Sequence, residues 1–321
     1  MRKVFVKEED GAVLCALYEE KELSRFYRLK KDMLTGSIVV GRVKFVKKGM
    51  GVFVDIGLKQ DGLLSYRPGL KSGDDVLVRI ETEPKEERGC SLSERITLAG
   101  KYVVLTDREE YKFSHKISEE KKIELFRLPR YEKVGFVFRS IAEETDVKAI
   151  GEEMESLYKK FVSLKKTAVT TRAPAFLLRV DPVEIAKNLA DEFVLGFGEI
   201  EKDIAELSER KVEKEGVELV FDKTEALTAV DVNFHRFEGK GERAVFDANA
   251  IAVKEFARQL RLRNLSGLIV LDYICMPRAE QREELFSLLK EELKKDYLSC
   301  SVEQAEKSGL FIVVRQERYS Y

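Results

Sequence analysis

The stretches Ala226-Leu-Thr-Ala-Val-Asp-Val232 and Leu268-Ile-Val-Leu-Asp272 decide the fold predicted for the C-terminal part of this sequence. Both are apolar runs of strand type, and the second predicts a strand buried on both sides. Apolar residues at helical spacing predict a helix over 247–264 between them. A helix over 281–295 and a strand over 309–314 follow. This alternation predicts an α/β layer with parallel neighbouring strands.

Two aspartates end these strands. Asp231 and Asp272 stand at equivalent positions, and the carboxyl ends of strands in α/β sheets form the functional crevice. One or two carboxylates with retained waters suit Mg²⁺, and Mn²⁺ takes similar oxygen ligands. Asn233 points the same way in an extended segment and would orient a water or phosphate. The alternative is that each aspartate only caps the following turn, and the pattern does not decide between the two.

The helix between the two strands carries a basic stripe. Lys254, Arg258 and Arg261 fall at i, i+4 and i+7, which places them on one side of a helix. Such a stripe is usually a solvated face. Beside two strand-end carboxylates it would also suit RNA phosphates.

Residues 36–96 consist of short β-type runs separated by glycine, which predicts a closed five-stranded barrel of the OB type. The exposed face of such barrels commonly binds nucleic acid. Phe45 and Phe53 would offer stacking surface to bases there, or else fill the barrel interior. Several basic residues accompany them: Arg42, Lys44, Lys47 and Lys48.

The remaining elements are predicted from the spacing of apolar residues and the positions of glycine and proline. A core-facing apolar stripe predicts a long helix over 145–165. Glu199–Lys214 is predicted as a charged, exposed helix. The other expected elements are strands over 3–6, 13–18, 102–106, 134–140 and 175–179 and a helix over 182–191.

Composition limits the possible functions. The 57 Lys and Arg nearly balance the 58 Asp and Glu, so a polyanion site must be a local patch. No apolar run is long enough to cross a membrane and no signal peptide is recognisable, so we expect a cytoplasmic protein. The four cysteines are isolated, which argues against zinc and disulfides and favours buried, inert thiols. His115 and His235 lack a nearby nucleophile, so a hydrolase triad is not expected.

Several motifs together resemble the ribonuclease E/G family of endoribonucleases. The most specific are Thr224-Glu-Ala-Leu-Thr-Ala-Val-Asp-Val-Asn233 and the run from Ala257-Arg-Gln-Leu-Arg-Leu-Arg to Leu271-Asp-Tyr-Ile-Cys-Met276. Three upstream blocks extend the resemblance over nearly the whole chain: Gly51-Val-Phe-Val-Asp-Ile-Gly57, Ser93-Glu-Arg-Ile-Thr-Leu-Ala-Gly-Lys-Tyr102 and Gly135-Phe-Val-Phe-Arg-Ser140.

The resemblance implies a multidomain fold that combines α/β and all-β parts. An S1-type OB barrel (35–97) would be inserted in an RNase H-like remnant (1–34 and 188–222). A 5′-sensor region (98–187) and a DNase I-like catalytic domain (223–321) would complete the chain.

The resemblance also implies roles for individual residues. Asp231 and Asp272 would be Mg²⁺ ligands, with Asn233 as a third catalytic residue. Arg139 and Ser140 would match the pair that senses a 5′-monophosphate, because a guanidinium and a hydroxyl suit a terminal phosphate. Two positions of the barrel match RNA contacts: Phe53 and Arg88.

The sequence departs from the family at four points. It stops at Tyr321, before the family's zinc link and small C-terminal domain, so we expect no zinc and a homodimer only through another interface. Leu63 stands where an aromatic RNA contact is expected. Cys275 replaces an acidic residue, and the segment 193–217 is shorter than the family's.

The predicted function is Mg²⁺-dependent endonucleolytic cleavage of single-stranded RNA, A/U-rich and 5′-monophosphorylated, in RNA processing or decay. The alternative is a non-catalytic RNA-binding protein with the same fold, with ribosomal RNA as one conceivable target. A DNA nuclease or phosphatase is disfavoured because no motif suggests reading of duplex DNA.

Overall fold

The computed structural model describes residues 2–84, 88–234, 243–296, 298–305 and 309–316. The described residues of 1–28 and 192–318 form one unit, and residues 29–191 form a second. His235 lies outside the described residues, so the expectation stated for it has no structural counterpart here.

Strands and helices are numbered along the chain. The described strands are β1 Arg2–Glu9, β2 Ala12–Glu19, β3 Glu22–Lys30, β4 Ile38–Lys47, β5 Gly51–Asp55, β6 Gly62–Leu64, β7 Asp75–Ile80, β8 Ser91–Ser93, β9 Thr97–Ala99, β10 Val103–Thr106, β11 Tyr111–Phe113, β12 Gly135–Phe138, β13 Ala175–Leu178, β14 Glu192–Leu195, β15 Lys211–Lys214, β16 Val217–Lys223, β17 Leu227–Phe234, β18 Gly267–Asp272, β19 Cys300–Ala305 and β20 Leu310–Arg315. The described α-helices are α1 Glu119–Phe126, α2 Val147–Thr170, α3 Pro182–Lys187, α4 Glu201–Glu206, α5 Ala244–Leu262 and α6 Ala279–Lys294.

The N-terminal sheet of the first unit has the order β14-β1-β2-β3. Turns at Asp10–Gly11 and Glu20–Lys21, all with positive φ, connect its first three strands as tight hairpins. The sequence predicted only two strands here and missed β3, whose polar residues mask its alternation. The prediction also missed β14, since the predicted helix ended at residue 191 and no element was assigned to the four residues that follow.

The second unit contains the barrel. Strands β4 to β8 pair in the order β4-β5-β6-β8-β7, and a β4–β7 pairing closes the ring. The expected closed five-stranded barrel is therefore confirmed. A register shift between Val43 and Phe45 marks a bulge in β4. Bulges change the direction of the side chains that follow them.

A separate four-stranded sheet of the second unit, β11-β12-β10-β9, packs against α2. The predicted apolar stripe is confirmed, since Ile150, Met154, Leu157 and Phe161 are all buried. Helix α2 begins after Asp146, whose carboxylate accepts the Lys148 backbone N–H, and it is longer than predicted.

The C-terminal sheet of the first unit has the order β15-β16-β17-β18-β20-β19. Its core is made with α5 and α6. The predicted parallel pairing is confirmed for β17 and β18, but β20 is antiparallel to β18. The sequence missed β19, which takes an edge position and returns as a hairpin to β20. Because β19 and β20 form this hairpin, β20 runs antiparallel to β18.

The same sheet corrects two further expectations. Leu268 and Val314 are 38% and 47% exposed, so β18 is not buried on both sides. The predicted helix 199–214 ends at Glu206, and β15 occupies its last residues. Glu215 and Gly216 have positive φ and form a two-residue turn into β16, which makes a hairpin rather than a helix.

Exposure of the cysteines differs along the chain. Cys15 and Cys90 are buried as expected, and burial raises the pKa of these thiols to about 12 and about 11. Cys275 is exposed, so the expectation of buried thiols is wrong at this position. No helix in the described part of the chain is sufficiently long and apolar to span a membrane.

Candidate active site

The two strand-end aspartates lie directly beside each other. In the parallel pairing of β17 with β18, Asp231 is the register partner of Asp272. Both are exposed, whereas Val230 and Val232 alternate with Asp231 and are buried under the helices. Because side chains alternate along a strand, both carboxylates project from the face opposite α5 and α6.

Asn233 completes this group. It lies two residues after Asp231 on the same face and donates a hydrogen bond from Nδ2 to Asp231 Oδ2, at 2.7 Å. On the neighbouring strand its register partner is Glu218, which forms an ion pair with Lys211. The amide therefore fixes the orientation of the Asp231 carboxylate. The structure brings together all three residues that the sequence singled out.

The carboxylate pair is electrostatically strained. Partial desolvation, with a further contribution from the negative charge of Asp231, raises the pKa of Asp272. A cation bound between them would relieve this repulsion. Among the described residues there is no cluster of three or more His, Cys, Asp or Glu side chains suited to a metal. The available protein donors at this position are thus two carboxylates.

A buried asparagine holds the backbone just after Asp272. Asn249 on α5 donates from Nδ2 to Ile274 O at 2.7 Å and accepts the Ile274 N–H at 3.0 Å. It is fully buried. This clamp fixes the chain immediately after Asp272. Asn249 was not among the predicted site residues, although a polar residue within the apolar face of a helix is a visible signal.

Arg139 and Ser140 lie where β12 gives way to a single 3-10 turn, Ser140–Glu144. Both are half-buried. Arg139 donates from Nη1 to Gly100 O at 2.8 Å. The nearby Glu143 accepts hydrogen bonds from the Ser118 N–H and hydroxyl at 2.8 Å each. These bonds lower the pKa of Glu143.

The barrel carries an aromatic pair on its outer surface. The rings of Phe45 and Phe53 stack at 4.4 Å between centroids, with 19° between their planes. Phe45 is 46% exposed, so it does not fill the barrel interior. Leu63 is the register partner of Phe53 on β6. Arg88 is also exposed. The bulge in β4 accounts for the way in which Phe45 joins the face of Phe53.

The basic residues of α5 do not form one exposed stripe. Lys254 is exposed, but Arg258 forms an ion pair with Glu255 and donates to Leu23 O at 3.1 Å. Arg261 is largely buried, and this burial lowers its pKa. The two guanidinium groups are thus less exposed than the ammonium group of Lys254. Their contact with RNA stays a prediction.

Comparison with known proteins gives a consistent result. Ribonuclease G of Salmonella typhimurium (strain SL1344) is 27% identical over 379 residues, covering 96% of this chain and 76% of that protein. Ribonuclease G of Escherichia coli (strain K12) shows the same values. Ribonuclease E of Escherichia coli (strain K12) is 27% identical over 353 residues, covering 87% of this chain and 33% of that protein. A sequence model described as "Ribonuclease E/G family" matches residues 97–194 and 187–318, well over half of the chain, and the chain therefore belongs to the Ribonuclease E/G family.

Proposed function

We propose that this protein is a divalent-metal-dependent endoribonuclease that cleaves single-stranded RNA. The observation that carries the proposal is the side-by-side placement of Asp231 and Asp272 at the ends of two parallel strands. The relatives are named ribonucleases, which supports RNA as the substrate. The family fold alone would not distinguish an enzyme from a binding protein, whereas a retained carboxylate pair favours the enzyme.

The donor set fits Mg²⁺ or Mn²⁺ rather than Zn²⁺. Asp231 and Asp272 would hold the ion, because hard oxygen ligands suit these metals and leave positions for waters and phosphate oxygens. When bound, such an ion polarises the phosphate and lowers the pKa of a water. Partial desolvation and the neighbouring charge of Asp231 raise the pKa of Asp272, and a bound cation would favour its ionised form.

The chain's own residues would orient the substrate. Asn233 holds Asp231 in place through its 2.7 Å hydrogen bond. Phe45 and Phe53 would stack on bases of an unpaired strand, since every base has a π-face. Arg139 and Ser140 would bind a 5′-monophosphate, since a guanidinium forms strong hydrogen bonds with phosphate oxygens. We accordingly propose A/U-rich, 5′-monophosphorylated RNA as the substrate in RNA processing or decay.

Two further parts of the proposal concern context. A cytoplasmic place of action fits an RNA substrate. Any homodimer would form through an interface other than a zinc link, because the four cysteines of this sequence are isolated.

Cleavage of a defined oligonucleotide tests the proposal. A 5′-monophosphorylated, A/U-rich single strand should be cut internally with Mg²⁺ or Mn²⁺. Excess chelator should abolish cleavage, and Mg²⁺ should restore it. The same sequence annealed to its complement serves as the control and should resist cleavage. Restoration by Zn²⁺ alone would contradict the metal assignment.

The alternative, RNA binding without cleavage, is favoured by the Phe45–Phe53 stack, which does not depend on the carboxylates. Removal of either ring should weaken RNA binding by about 1–3 kcal/mol. The exposed Val169→Ala variant is a control, since this side chain is 87% exposed and packs little. Binding in the wild type without cleavage under any divalent ion would establish the alternative.

A further inference from the structure

One glutamate of the second unit makes an unusual set of contacts. Glu153 on α2 accepts three successive backbone N–H groups: those of Lys101 at 2.7 Å, Tyr102 at 2.8 Å and Val103 at 3.0 Å. Oε1 accepts the first bond and Oε2 the other two. A carboxylate that accepts several N–H groups holds them strongly, because charge-assisted hydrogen bonds are about twice as strong as neutral ones.

The same segment contacts Arg139 from its other side. The Arg139 backbone N–H donates to Tyr102 O at 2.9 Å, and its Nη1 donates to Gly100 O at 2.8 Å. A continuous path of hydrogen bonds thus leads from the Glu153 carboxylate, through residues 100–103, to the Arg139 guanidinium. The segment 100–103 is remote in sequence from both ends, since Lys101 and Glu153 are 52 residues apart and Gly100 and Arg139 are 39 apart.

Gly100 shows how closely the carboxylate approaches the segment. A Cβ at this position would lie 2.6 Å from Glu153 Cδ and Oε2 and 2.8 Å from Oε1. At these distances a Cβ would require the Glu153 carboxylate to move. No backbone strain requires glycine here, since Gly100 is not among the positive-φ residues of the described chain. Glycine at this position thus leaves room for the Glu153 carboxylate beside the segment.

We propose that Glu153 is a positioning residue that fixes the segment 100–103, so that the Arg139 guanidinium is held ready for the 5′-monophosphate of RNA. This inference rests on the proposed function of Arg139. An arginine side chain loses substantial rotamer freedom when it binds, and prior anchoring reduces that loss. Glu153 contributes indirectly, through the carbonyl of Gly100, and does not contact the phosphate itself.

Equilibrium binding provides a test that needs no cleavage. Two otherwise identical A/U-rich oligonucleotides, one with a 5′-monophosphate and one with a 5′-hydroxyl, are titrated with the full chain in the presence of chelator. The wild type should prefer the monophosphate about tenfold to a hundredfold. Glu153→Gln should reduce this preference to less than about threefold, because an amide NH₂ cannot accept the N–H groups. Glu153→Asp, which keeps the charge, should restore part of it.

Two further variants separate positioning from general damage. Glu152→Gln, on the exposed side of the same helix, is the matched control and should keep the full preference. Gly100→Ala should reduce the preference as Glu153→Gln does, because its Cβ displaces the carboxylate. Combining Gly100→Ala with Glu153→Gln should add little to either change, as expected for two residues that act through one contact.

The possible failures are distinguishable. A wild-type preference that persists in Glu153→Gln, with the thermal midpoint of unfolding little changed, would overturn the positioning role and leave the proposed sensor intact. Equal binding of both oligonucleotides by the wild type would overturn the sensor and this inference together, while endonucleolytic cleavage would stand on its own assay. An equal loss of affinity for both oligonucleotides in Glu153→Gln would show a purely structural role.

Discussion

The carboxylate pair and the Arg139 site, which consists of Arg139 and residues 100–103, are two candidate sites built in different ways. Asp231 and Asp272 lie next to each other because two strands run parallel in register. Arg139 is fixed by residues 100–103, which are in turn held by Glu153, some fifty residues along the chain. The first arrangement follows from strand alternation. The second combines the antiparallel pairing of β10 with β12 and a side chain from α2 that holds the turn before β10.

This difference predicts how each site responds to substitution. Sheet pairing will keep the positions of residues 231 and 272 even when a carboxylate is replaced. Such variants should therefore fold but lose cleavage activity. Residues 100–102, by contrast, form the turn between β9 and β10, and Glu153 accepts the backbone N–H groups of Lys101 and Tyr102 there. Replacement of one residue there should change geometry and therefore substrate preference.

The largest effect is expected at the carboxylates. Asp231→Asn and Asp272→Asn should each reduce the cleavage rate by about a thousandfold or more, because metal-assisted charge stabilisation is worth several kcal/mol and each 1.36 kcal/mol is a factor of ten. Single-turnover cleavage of the monophosphorylated oligonucleotide measures this. Glu303→Gln, exposed on the same face of the sheet, is the control. Cleavage that persists in both aspartate variants would remove these residues from the mechanism.

The next effect concerns the support behind Asp272. Asn249→Leu removes both hydrogen bonds to Ile274, so the Ile274 N–H and carbonyl lose these partners. The free energy of unfolding, measured in urea, should therefore fall by about 1–3 kcal/mol. Loss of such outer contacts typically lowers activity tenfold to a hundredfold. We expect kcat to fall within that range for both 5′-forms of the substrate. An unchanged kcat would show that sheet pairing alone positions Asp272.

A selective effect is expected at the other site. Arg139→Ala should lower the ratio of cleavage rates between 5′-monophosphate and 5′-hydroxyl substrates from about tenfold or more to near one, since charge-assisted hydrogen bonds contribute about 1.5–3 kcal/mol. Parallel single-turnover assays on the two substrates measure the ratio. Lys112→Ala, an exposed cation of the same sheet, is the control. A variant that loses both rates equally would indicate misfolding rather than sensing.

Much of the first site was predictable from the sequence. Asp231, Asp272 and Asn233 end or follow apolar runs, and the alternation of a strand is enough to place them on one face. The connecting helix was equally predictable from the helical spacing of its apolar residues. The barrel was predictable from its short β-type runs separated by glycine. The strand β19 was not, because Ser301, Glu303 and Gln304 give it no apolar run and only its pairing with β20 stabilises it.

The support of the second site could not be predicted. In the sequence, Glu152 and Glu153 are adjacent acidic residues of the predicted helix over 145–165, and no pattern distinguishes one from the other. The structure separates them, since Glu153 turns to the backbone of Lys101 and its two neighbours. Hydrogen bonds to backbone amides leave no trace in the identity of the partner residue, so no local pattern reveals them. Only Gly100, which has no other evident requirement for glycine, hints at the contact.

The smallest effect tests the electrostatics of the carboxylate pair through the pH dependence of stability. The pKa of Asp272 is raised above its ordinary 3.8, so the folded state binds this proton more tightly and stability falls as pH rises through that window. In chelator, Asp272→Asn should therefore slightly raise the urea midpoint at pH 7, and the gain should vanish as pH falls below 3.8.

Asp222 is the opposite case, because its ion pair with Arg210 lowers its pKa. Asp222→Asn should therefore lower the urea midpoint at pH 7, and that loss should fade as the carboxyl protonates in acid. Both shifts will be small because the two groups are exposed and screened by solvent. Midpoint shifts of the same sign in the two variants would contradict the inference that the fold disfavours the charge of Asp272, through desolvation and Asp231, and favours that of Asp222.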